Sequence, residues 1–348
     1  MKKIISSIII MVVLLFIMFE ILSSSASIMN TISFSFGVWK NSIFPSLFPF
    51  FVLSEFLVNY GFIELVSEFF KPIMNRFFKI KGVGAFVFIM SLISGFPSNS
   101  KYVRELYLNG LINEYEGTKL LTFTHFSNPL FILGTISILF LNNKEIGFLI
   151  LFCHYFGNVI VGLIFRNYYV SSDGDSSISF KRAIINMHNK RVSVNKSFGE
   201  IMSGALMNGI NTLFLIFGVV TLFLIVTTII DNNIDIPKYY QSILNGIVEM
   251  TQGLKYVSLL DIPLKIKGTL SVLFISFGGV SVHIQLISIL SDTKIKYFPF
   301  FVARVIHACI SSIIFYFLFD FWIKFIWLFI YKISCSVAYK ELFTYCII

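Results

Sequence analysis

Charge is the scarcest property of this sequence: of its 348 residues, 13% are Asp, Glu, Lys or Arg, whereas 56% are hydrophobic. The patterns of many soluble enzymes are also missing, since the chain contains no HExxH, P-loop, GxGxxG or nucleophile-elbow motif. Its four cysteines show no CxxC spacing. These absences argue against covalent catalysis, ATP hydrolysis, a zinc site and a disulfide scaffold. We therefore predict a chain that is not an enzyme and has no cofactor and no metal.

The hydropathy of the chain is typical of a membrane protein. Its mean hydropathy is +0.84, far above that of soluble globular chains. The formal net charge of +9 could indicate nucleic acid as a partner. In membrane proteins, however, Lys and Arg collect in cytoplasmic loops and determine the topology. We therefore predict a multi-pass protein of the cell membrane, with the lipid bilayer and not nucleic acid as its partner.

The N-terminal region (1–35) begins with a hydrophobic run. Lys2 and Lys3 precede apolar residues from Ile4 to Leu22, a run longer than the core of a typical signal peptide. It is long enough to span a bilayer. We predict an uncleaved signal-anchor helix with a cytoplasmic N-terminus, and a cleavable signal peptide is the alternative.

Further apolar runs are long enough to cross a hydrocarbon core of about 30 Å. They cover residues 39–60, 117–141, 146–166, 203–230 and 298–319. A shorter aromatic run from Phe321 to Tyr331 is a weaker candidate. The basic segments 61–82 and 166–198 should be cytoplasmic. The chain is therefore expected to be all-α, with about seven transmembrane helices.

Residues 83–112 interrupt this pattern with the sequence "SGFPSNSK". If both basic segments are cytoplasmic, this part of the chain cannot cross. A helix from Val83 to Ser98 would be only about 24 Å long, shorter than the membrane core. We predict a re-entrant hairpin in which Gly95 and Pro97 form the tip and the polar residues after them cap the returning half-helix. The alternative is a short spanning helix followed by a cytosolic amphipathic helix.

A second interruption, "ISFGGVSVHIQ", lies at residues 275–285 and contains Gly278 and Gly279. Two broken segments in corresponding positions of two halves indicate a transporter-like binding site. The charge bias directs 39–60 inward and 203–230 outward, which predicts two re-entrant hairpins in an inverted repeat. Four lysines on the predicted outer side fit this topology poorly, namely Lys265, Lys267, Lys294 and Lys296.

Several motifs in order resemble a known family. They are "FPSLFPFFVLSEFL" (44–57), "GFPSNSKYVRELYLNGLINEYEGTKLL" (95–121), "FSNPLFILGT" (126–135), "HYFGNVIVGLIFR" (154–166) and "FGGVSVHIQ" (277–285). Together they resemble the nucleoside-recognition, or Gate, domain family, in its sporulation integral membrane (YlbJ-like) branch. That branch tends to read "GYP-small-G-A-K" where this chain has the larger and more polar "GFPSNSK". The ligand can therefore differ.

The resemblance implies a fold and a biological setting. The fold would be similar in plan to the core of concentrative nucleoside transporters and to the membrane part of ferrous-iron permeases, and the setting would be endospore formation in low-GC Gram-positive bacteria. Accordingly we expect a first Gate-like repeat at 36–169, a basic cytoplasmic linker at 170–198 and a second repeat at 199–320. A hydrophobic tail helix at 321–348 would follow.

Uncharged polar residues near the two interruptions are candidate ligand contacts. Asn99 and Ser100 at the first and Ser281 and Gln285 at the second suit a polar, neutral ligand such as a sugar or a base. The alternative is that they only cap their own backbones. Asn128, which precedes a proline, indicates a kinked helix with a free carbonyl, either structural or in contact with the ligand.

Arg304 is the most informative single residue, because a charged side chain within a membrane helix usually faces the bundle interior or a cavity. It shares a helix face with His307. Glu55 and the carbonyls of a hairpin tip are candidate partners. Snorkelling of Arg304 to the membrane surface is the alternative.

These observations predict a non-enzymatic sporulation membrane protein that transports a small polar solute, either nucleoside-like or a cell-wall precursor, by alternating access around the two hairpins. The alternative is a non-transporting membrane receptor or scaffold for envelope (cortex) assembly. A homo-oligomer and other sporulation membrane proteins remain open as partners. Solute binding without flux would favour the receptor.

Overall fold

The computed structural model describes residues 2–174 and 177–345, with side chains for 4–174 and 177–325. Within these ranges the chain is helical and has no strand, which confirms the all-α prediction there. Six helices are long and apolar enough to cross a membrane: Ile4–Ser23, Ser25–Asn59, Lys144–Asn167, Phe198–Asn233, Leu264–Ile289 and Phe298–Phe325. The chain is thus a multi-pass membrane protein. The predicted count of about seven spans stays a prediction.

The helices of the first half are α1 (Lys2–Ser23), α2 (Ser25–Val38), α3 (Phe44–Asn59), α4 (Phe62–Ile73), α5 (Gly84–Ser94), α6 (Ser98–Leu108), α7 (Glu114–Phe123) and α8 (Lys144–Ile164). π-helical segments lie at Trp39–Ile43, Met74–Phe78 and Phe131–Phe140, and a 3₁₀ turn lies at Phe165–Asn167. The π-helix Phe131–Phe140 precedes α8 and belongs to the candidate site described below.

The helices of the second half are α9 (Phe180–Val194), α10 (Phe198–Asn233), α11 (Lys238–Val248), α12 (Met250–Leu259), α13 (Leu264–Phe277), α14 (Gly279–Ile289) and α15 (Phe298–Tyr345). The predicted tail helix 321–348 is continuous with α15 as far as Tyr345. Residues 346–348 of that prediction lie outside the described residues.

Two helix groups frame the bundle. The long helix α10 packs along α2 and α3, with apolar contacts such as Leu213 and Val220 against Leu47 and Phe51. α15 packs along α8 and α13. The short helices between these groups carry the chain interruptions.

The chain turns within "SGFPSNSK", where a turn was predicted. α5 and α6 pack against each other, and the chain turns between them at Gly95, whose φ of +76° is readily available only to glycine. Tyr102 and Leu106 of α6 are buried in the bundle. α6 therefore packs one face into the bundle, and the re-entrant hairpin and the cytosolic amphipathic helix both stay predictions.

Residues 117–141 do not form the single span that was predicted. α7 ends at Phe123, the next five residues to Asn128 are not helical, and the π-helix begins at Phe131. Pro129 contributes to the break because it has no N–H and disfavours helical backbone in the residue before it. The predicted kink at Asn128 is therefore a full interruption.

The helical hairpin of the second half also lies elsewhere than predicted. α11 and α12 pack against each other with only Glu249 between them. A Cβ on Gly253 would lie 2.1 Å from the Cα of Gly246, so these glycines allow the two helices to touch. By contrast, α13 and α14 do not pack against each other after Gly278 and Gly279, whose φ values are +93° and +69°. This glycine pair marks a second interrupted helix and not a hairpin tip.

The order of elements nevertheless repeats. In the first half a long helix (α3) precedes a hairpin (α5–α6), an interrupted helix (α7 and the π-helix) and another long helix (α8). In the second half the same order runs through α10, α11–α12, α13–α14 and α15. The segment 275–285 therefore corresponds to the first interrupted helix and not to the first hairpin. Inversion of the halves relative to the membrane stays a prediction.

Gly253→Ala should destabilise the protein, because its methyl group would meet the Gly246 backbone. Overpacking of this kind costs about 1–3 kcal/mol. Thermal unfolding in detergent should show a lower Tm than in the wild type. Gly204→Ala in α10 is the matched control, since nothing lies within 4 Å of its Cβ position, and it should keep the wild-type Tm. Equal Tm values for the two variants would contradict the hairpin packing.

Candidate functional site

Four interruptions of helix meet near the middle of the bundle, and we call this region the central site. Its parts are the first hairpin tip (95–97), the first interruption (124–128), the second hairpin tip (Glu249) and the second interruption (278–279). A Cβ on Gly278 would lie 3.4 Å from His125 Nε2, and one on Gly279 would lie 3.0 Å from Met250 N. The two halves of the chain therefore meet here.

The first hairpin tip is fixed to the first interruption. The Phe96 N–H donates to the Phe126 carbonyl at 2.7 Å. The Phe96 ring stacks on the imidazole of His125, with ring centroids 4.7 Å apart and an angle of 10° between the ring planes. A Cβ on Gly95 would lie 2.5 Å from Asn128 N, so only glycine allows this approach.

The side chain of Asn128 forms hydrogen bonds with backbone groups of three segments. Its Nδ2 donates to the carbonyls of Ile93 and Ser46, at 3.0 and 3.2 Å. Its Oδ1 accepts from the N–H of Leu130 at 2.7 Å, as a helix-capping side chain does. In this conformation both ends of the Asn128 amide are hydrogen-bonded to the protein backbone, although the residue also lines the central cavity.

Arg304 is fully buried and does not snorkel to the surface. It donates to the carbonyls of Thr122 and His125 and, at 2.8 Å, to Asn158 Oδ1. Its partners are thus carbonyls of the first interruption and not those of a hairpin tip. Glu55, the other predicted partner, instead pairs with Lys101 at 3.2 Å.

The histidines beside Arg304 have defined tautomers. Since an arginine can only donate, Nδ1 of His307 accepts from Arg304, and its Nε2 donates to the His154 carbonyl at 2.7 Å. The Ser127 N–H donates to His154 Nε2 at 2.8 Å, which leaves the proton on Nδ1, facing Ser276. Both imidazoles are therefore neutral, and Arg304 is the cation of this network.

Four of the predicted ligand residues differ in their contacts. Ser100 Oγ donates to the Pro97 carbonyl and so caps its own turn. In contrast, both amide atoms of Asn99 and the hydroxyl of Ser281 are buried without a hydrogen-bond partner among the described residues. Gln285 lines the central cavity. Unpaired buried polar atoms are costly, which makes Asn99 and Ser281 unusual for purely structural residues.

The central cavity is small and is lined by both polar and apolar residues. Its volume is about 40 Å³. The polar residues that line it come from four elements of both halves, and they are Ser46, Ser127, Asn128, Glu249, Thr251 and Gln285. Asn99, Ser100, Ser281 and Arg304 do not line it. The structure thus places only part of the predicted set in one cavity.

Two larger polar cavities flank the central one along α10. The first vestibule, about 630 Å³, is lined by residues such as Asn208 and Thr212. The second, about 200 Å³, is lined by Thr228 and Asp231 at the other end of α10. Between them, Ile216 and Val220 face the central cavity. One helix thus passes the three cavities in order.

Beside each vestibule, polar contacts join the hairpin to a neighbouring segment of the chain. On the first side, Lys101 of α6 pairs with Glu55 of α3. Arg104 donates two hydrogen bonds to Asp292, and these lower the pKa of that carboxyl. On the second side, Asp231 of α10 accepts from the side chains of three hairpin residues, which are Asn245, Gln252 and Tyr256.

Sequence reasoning missed three residues of the site. His125 and Glu249 were absent from the predicted set, as was Asp231. Both imidazole nitrogens of His125 are buried without a partner among the described residues, as is one oxygen of Glu249. The available signal for Glu249 was an acid that directly follows Ile247 and Val248 in "NGIVEMTQG". Within the described residues, no group of three or more His, Cys, Asp and Glu could hold a metal ion.

Comparison with known proteins agrees with the sequence motifs. Residues 41–165 match the family model Gate, described as nucleoside recognition. Over 306 residues the chain is 31% identical to "Sporulation integral membrane protein YlbJ" of Bacillus subtilis (strain 168). The aligned region covers 80% of this chain and 74% of that protein. No solved structure matches the chain.

Arg304→Met should destabilise the protein, because several buried acceptors would lose their donor. Each unsatisfied buried group costs about 1–3 kcal/mol. Arg304→Lys keeps the charge but lacks the planar fork, so it should rescue only part of the loss. Unfolding in detergent measures the effect, with the exposed Lys238→Met as control. A wild-type Tm for Arg304→Met would show that the network does not hold the interruption.

Proposed function

The chain belongs to the family of the sporulation integral membrane protein YlbJ and carries a Gate domain, and on this basis we propose that it is a non-enzymatic membrane protein of endospore formation that moves a small polar solute through the central site. A nucleoside-like compound or a cell-wall precursor is the proposed solute. The observation that carries the proposal is the succession of first vestibule, central cavity and second vestibule along α10.

The chemistry of the central site supports a polar solute. Gln285 and Thr251 from the second half face Ser127 and Asn128 from the first across one cavity. A few placed polar groups among apolar side chains are typical of a small-molecule site. Interrupted helices at such a site are typical of secondary transporters.

The small cavity volume supports a closed conformation in the proposed cycle. About 40 Å³ accommodates a few waters, since one water needs roughly 10–15 Å³ by this kind of measure. Pockets for organic ligands measure about 300–1,000 Å³. A solute can therefore enter only after a hairpin moves. Opening toward the first vestibule breaks the Lys101–Glu55 pair, and opening toward the second breaks the bonds to Asp231.

The same small volume favours a second candidate function. If the hairpins do not move, the protein acts as a non-transporting receptor or scaffold in envelope assembly. Asn128 and Ser100 are hydrogen-bonded to backbone carbonyls in this conformation, which is consistent with that role. Solute binding to purified protein without flux in liposomes would favour it.

Proteoliposomes loaded with nucleosides or cell-wall precursors test transport. We expect flux of one solute class in the wild type, and at least a tenfold loss in Gln285→Leu, because an amide in the cavity is worth about 1.4 kcal/mol or more of solute binding. Gln241→Leu lies away from the cavity and should keep the wild-type flux. Equal flux in the two variants would show that Gln285 does not contact the transported solute.

Thiol labelling in a cysteine-free background tests the path itself. Thr212→Cys should react with a membrane-impermeant reagent from one side of the membrane and Asn232→Cys from the other, because they line opposite vestibules. Thr251→Cys in the central cavity should react slowly, at a rate that changes when solute is added. A Thr251→Cys variant that stays inert under all conditions would make a path through the central site untenable.

A further inference from the structure

Among the described residues that line the central cavity, Glu249 is the one acid. It is 0% exposed and lies at the tip of the second hairpin. Its Oε2 accepts from the N–H of Gln252 at 2.9 Å and caps α12. Its Oε1 has no hydrogen-bond partner among the described residues.

No basic side chain within the described part of the chain forms an ion pair with Glu249. The titratable groups on the helices packed around it have other partners. On α12, Lys255 lies over the Phe34 ring and Tyr256 donates to Asp231 of α10. On α13, Lys265 pairs with Asp320 and Lys267 donates to the Ser258 carbonyl. On α14, His283 is bonded to Tyr297 and to the Phe277 carbonyl.

An ionised carboxylate in such a place is unfavourable. Removing it from water costs much free energy unless a cation or several strong donors compensate. No cation pairs with it, and the loss of water outweighs the nearby donors, which are the N–H of Gln252 and the N–H and hydroxyl of Thr251. The neutral carboxylic acid avoids this cost. A hard metal cation is a poorer alternative, because it takes six or more oxygen ligands and one oxygen of Glu249 is already used by the cap.

We propose that Glu249 is a proton-binding site, that its carboxyl is protonated in the closed conformation, and that it releases this proton to water when the second hairpin opens toward the second vestibule. In that step the O–H bond of the acid breaks, the electron pair stays on the carboxylate, and a water molecule takes the proton. The opening step rests on the proposed function, whereas proton binding in the closed state does not.

The route to water follows from the contacts of Gln252. Its backbone N–H bonds to Glu249, while its side chain bonds to Thr227 and Asp231. Gln252 and Asp231 both line the second vestibule. Loss of the bonds to Asp231 would therefore uncover Glu249 on that side.

The experiment compares wild type and Glu249→Gln as full chains, without any solute. Infrared difference spectra across a pH titration report the carboxylic acid C=O band. Hydrogen exchange reports the protection of residues 245–256. We expect the wild type to lose a C=O band as the pH rises. At pH values below this loss, where the closed form is protonated and the open form is ionised, its protection should fall by about tenfold per pH unit beyond the intrinsic pH dependence, as release of one proton on opening requires. This extra dependence should level off at the pH where the band disappears.

The controls separate Glu249 from other acids. In Glu249→Gln the band should be absent, and its exchange should follow only the intrinsic pH dependence. The exposed Glu145→Gln should behave as the wild type. Protection of the first hairpin (94–101) should show no extra pH dependence in any of the three proteins.

Three results would overturn the proposal: the same band titration in Glu249→Gln, a wild-type carboxylate that is ionised at every pH, or protection that responds to Na⁺ but not to pH. The first needs the variant to fold, whereas the other two are read in the wild type alone. Solute flux with no titration of Glu249 would refute only the proton site. Titration of Glu249 with no flux of any solute would refute only the proposed transport.

Discussion

Unpaired backbone groups are the constraint on which this structure depends. Each interruption of a helix frees carbonyl and N–H groups, and inside a membrane these must find partners in the protein. Arg304 and Asn158 supply donors to the carbonyls of the first interruption. Asn128 supplies them to the first hairpin. The helices α8 and α15 must therefore pack against the interruption for it to exist, so the break and the bundle form together.

The charge of Arg304 has a clear place in this arrangement. The carbonyl end of α7 is the negative end of a half-helix, and a cation there is favourable. The neutral histidines His154 and His307 extend the network to Ser127 and Ser276 without adding charge. The interruption of the first half thus lies beside a fixed cation that α15 of the second half supplies, whereas the hairpin tip of the second half carries Glu249.

Gly, Pro and an intramembrane charge are strong local signals. Together with the charge bias and the short length of 83–98, they located the turn at Gly95 and the interior position of Arg304. Hydrophobic length alone gave a false span at 117–141, since its break depends on Asn128 reaching the Ile93 carbonyl, a contact distant in sequence. The sequence predicted that Arg304 would lie inside the bundle, but it did not predict the carbonyls of Thr122 and His125 as its partners.

The second hairpin escaped prediction for a different reason. Its arms are short and partly polar, and its tip carries Glu249 and not a glycine or a proline. Its main signal was the pair Gly246 and Gly253, which allows close helix packing. The glycine pair of 278–279 looked like a tip, but glycines permit a change of direction without specifying it. Packing of α13 and α14 against their neighbours decides that direction.

The two vestibules also determine where a membrane voltage acts. Between Leu215, at the inner end of the first vestibule, and Thr228, at the edge of the second, α10 covers only about 20 Å. Solvent-accessible cavities carry little of a potential difference, so most of it falls across this short stretch, which contains the central site. Moving one charge through the full potential is worth about 2.3 kcal/mol per 100 mV. Any charged group that moves along this stretch therefore crosses most of the potential difference.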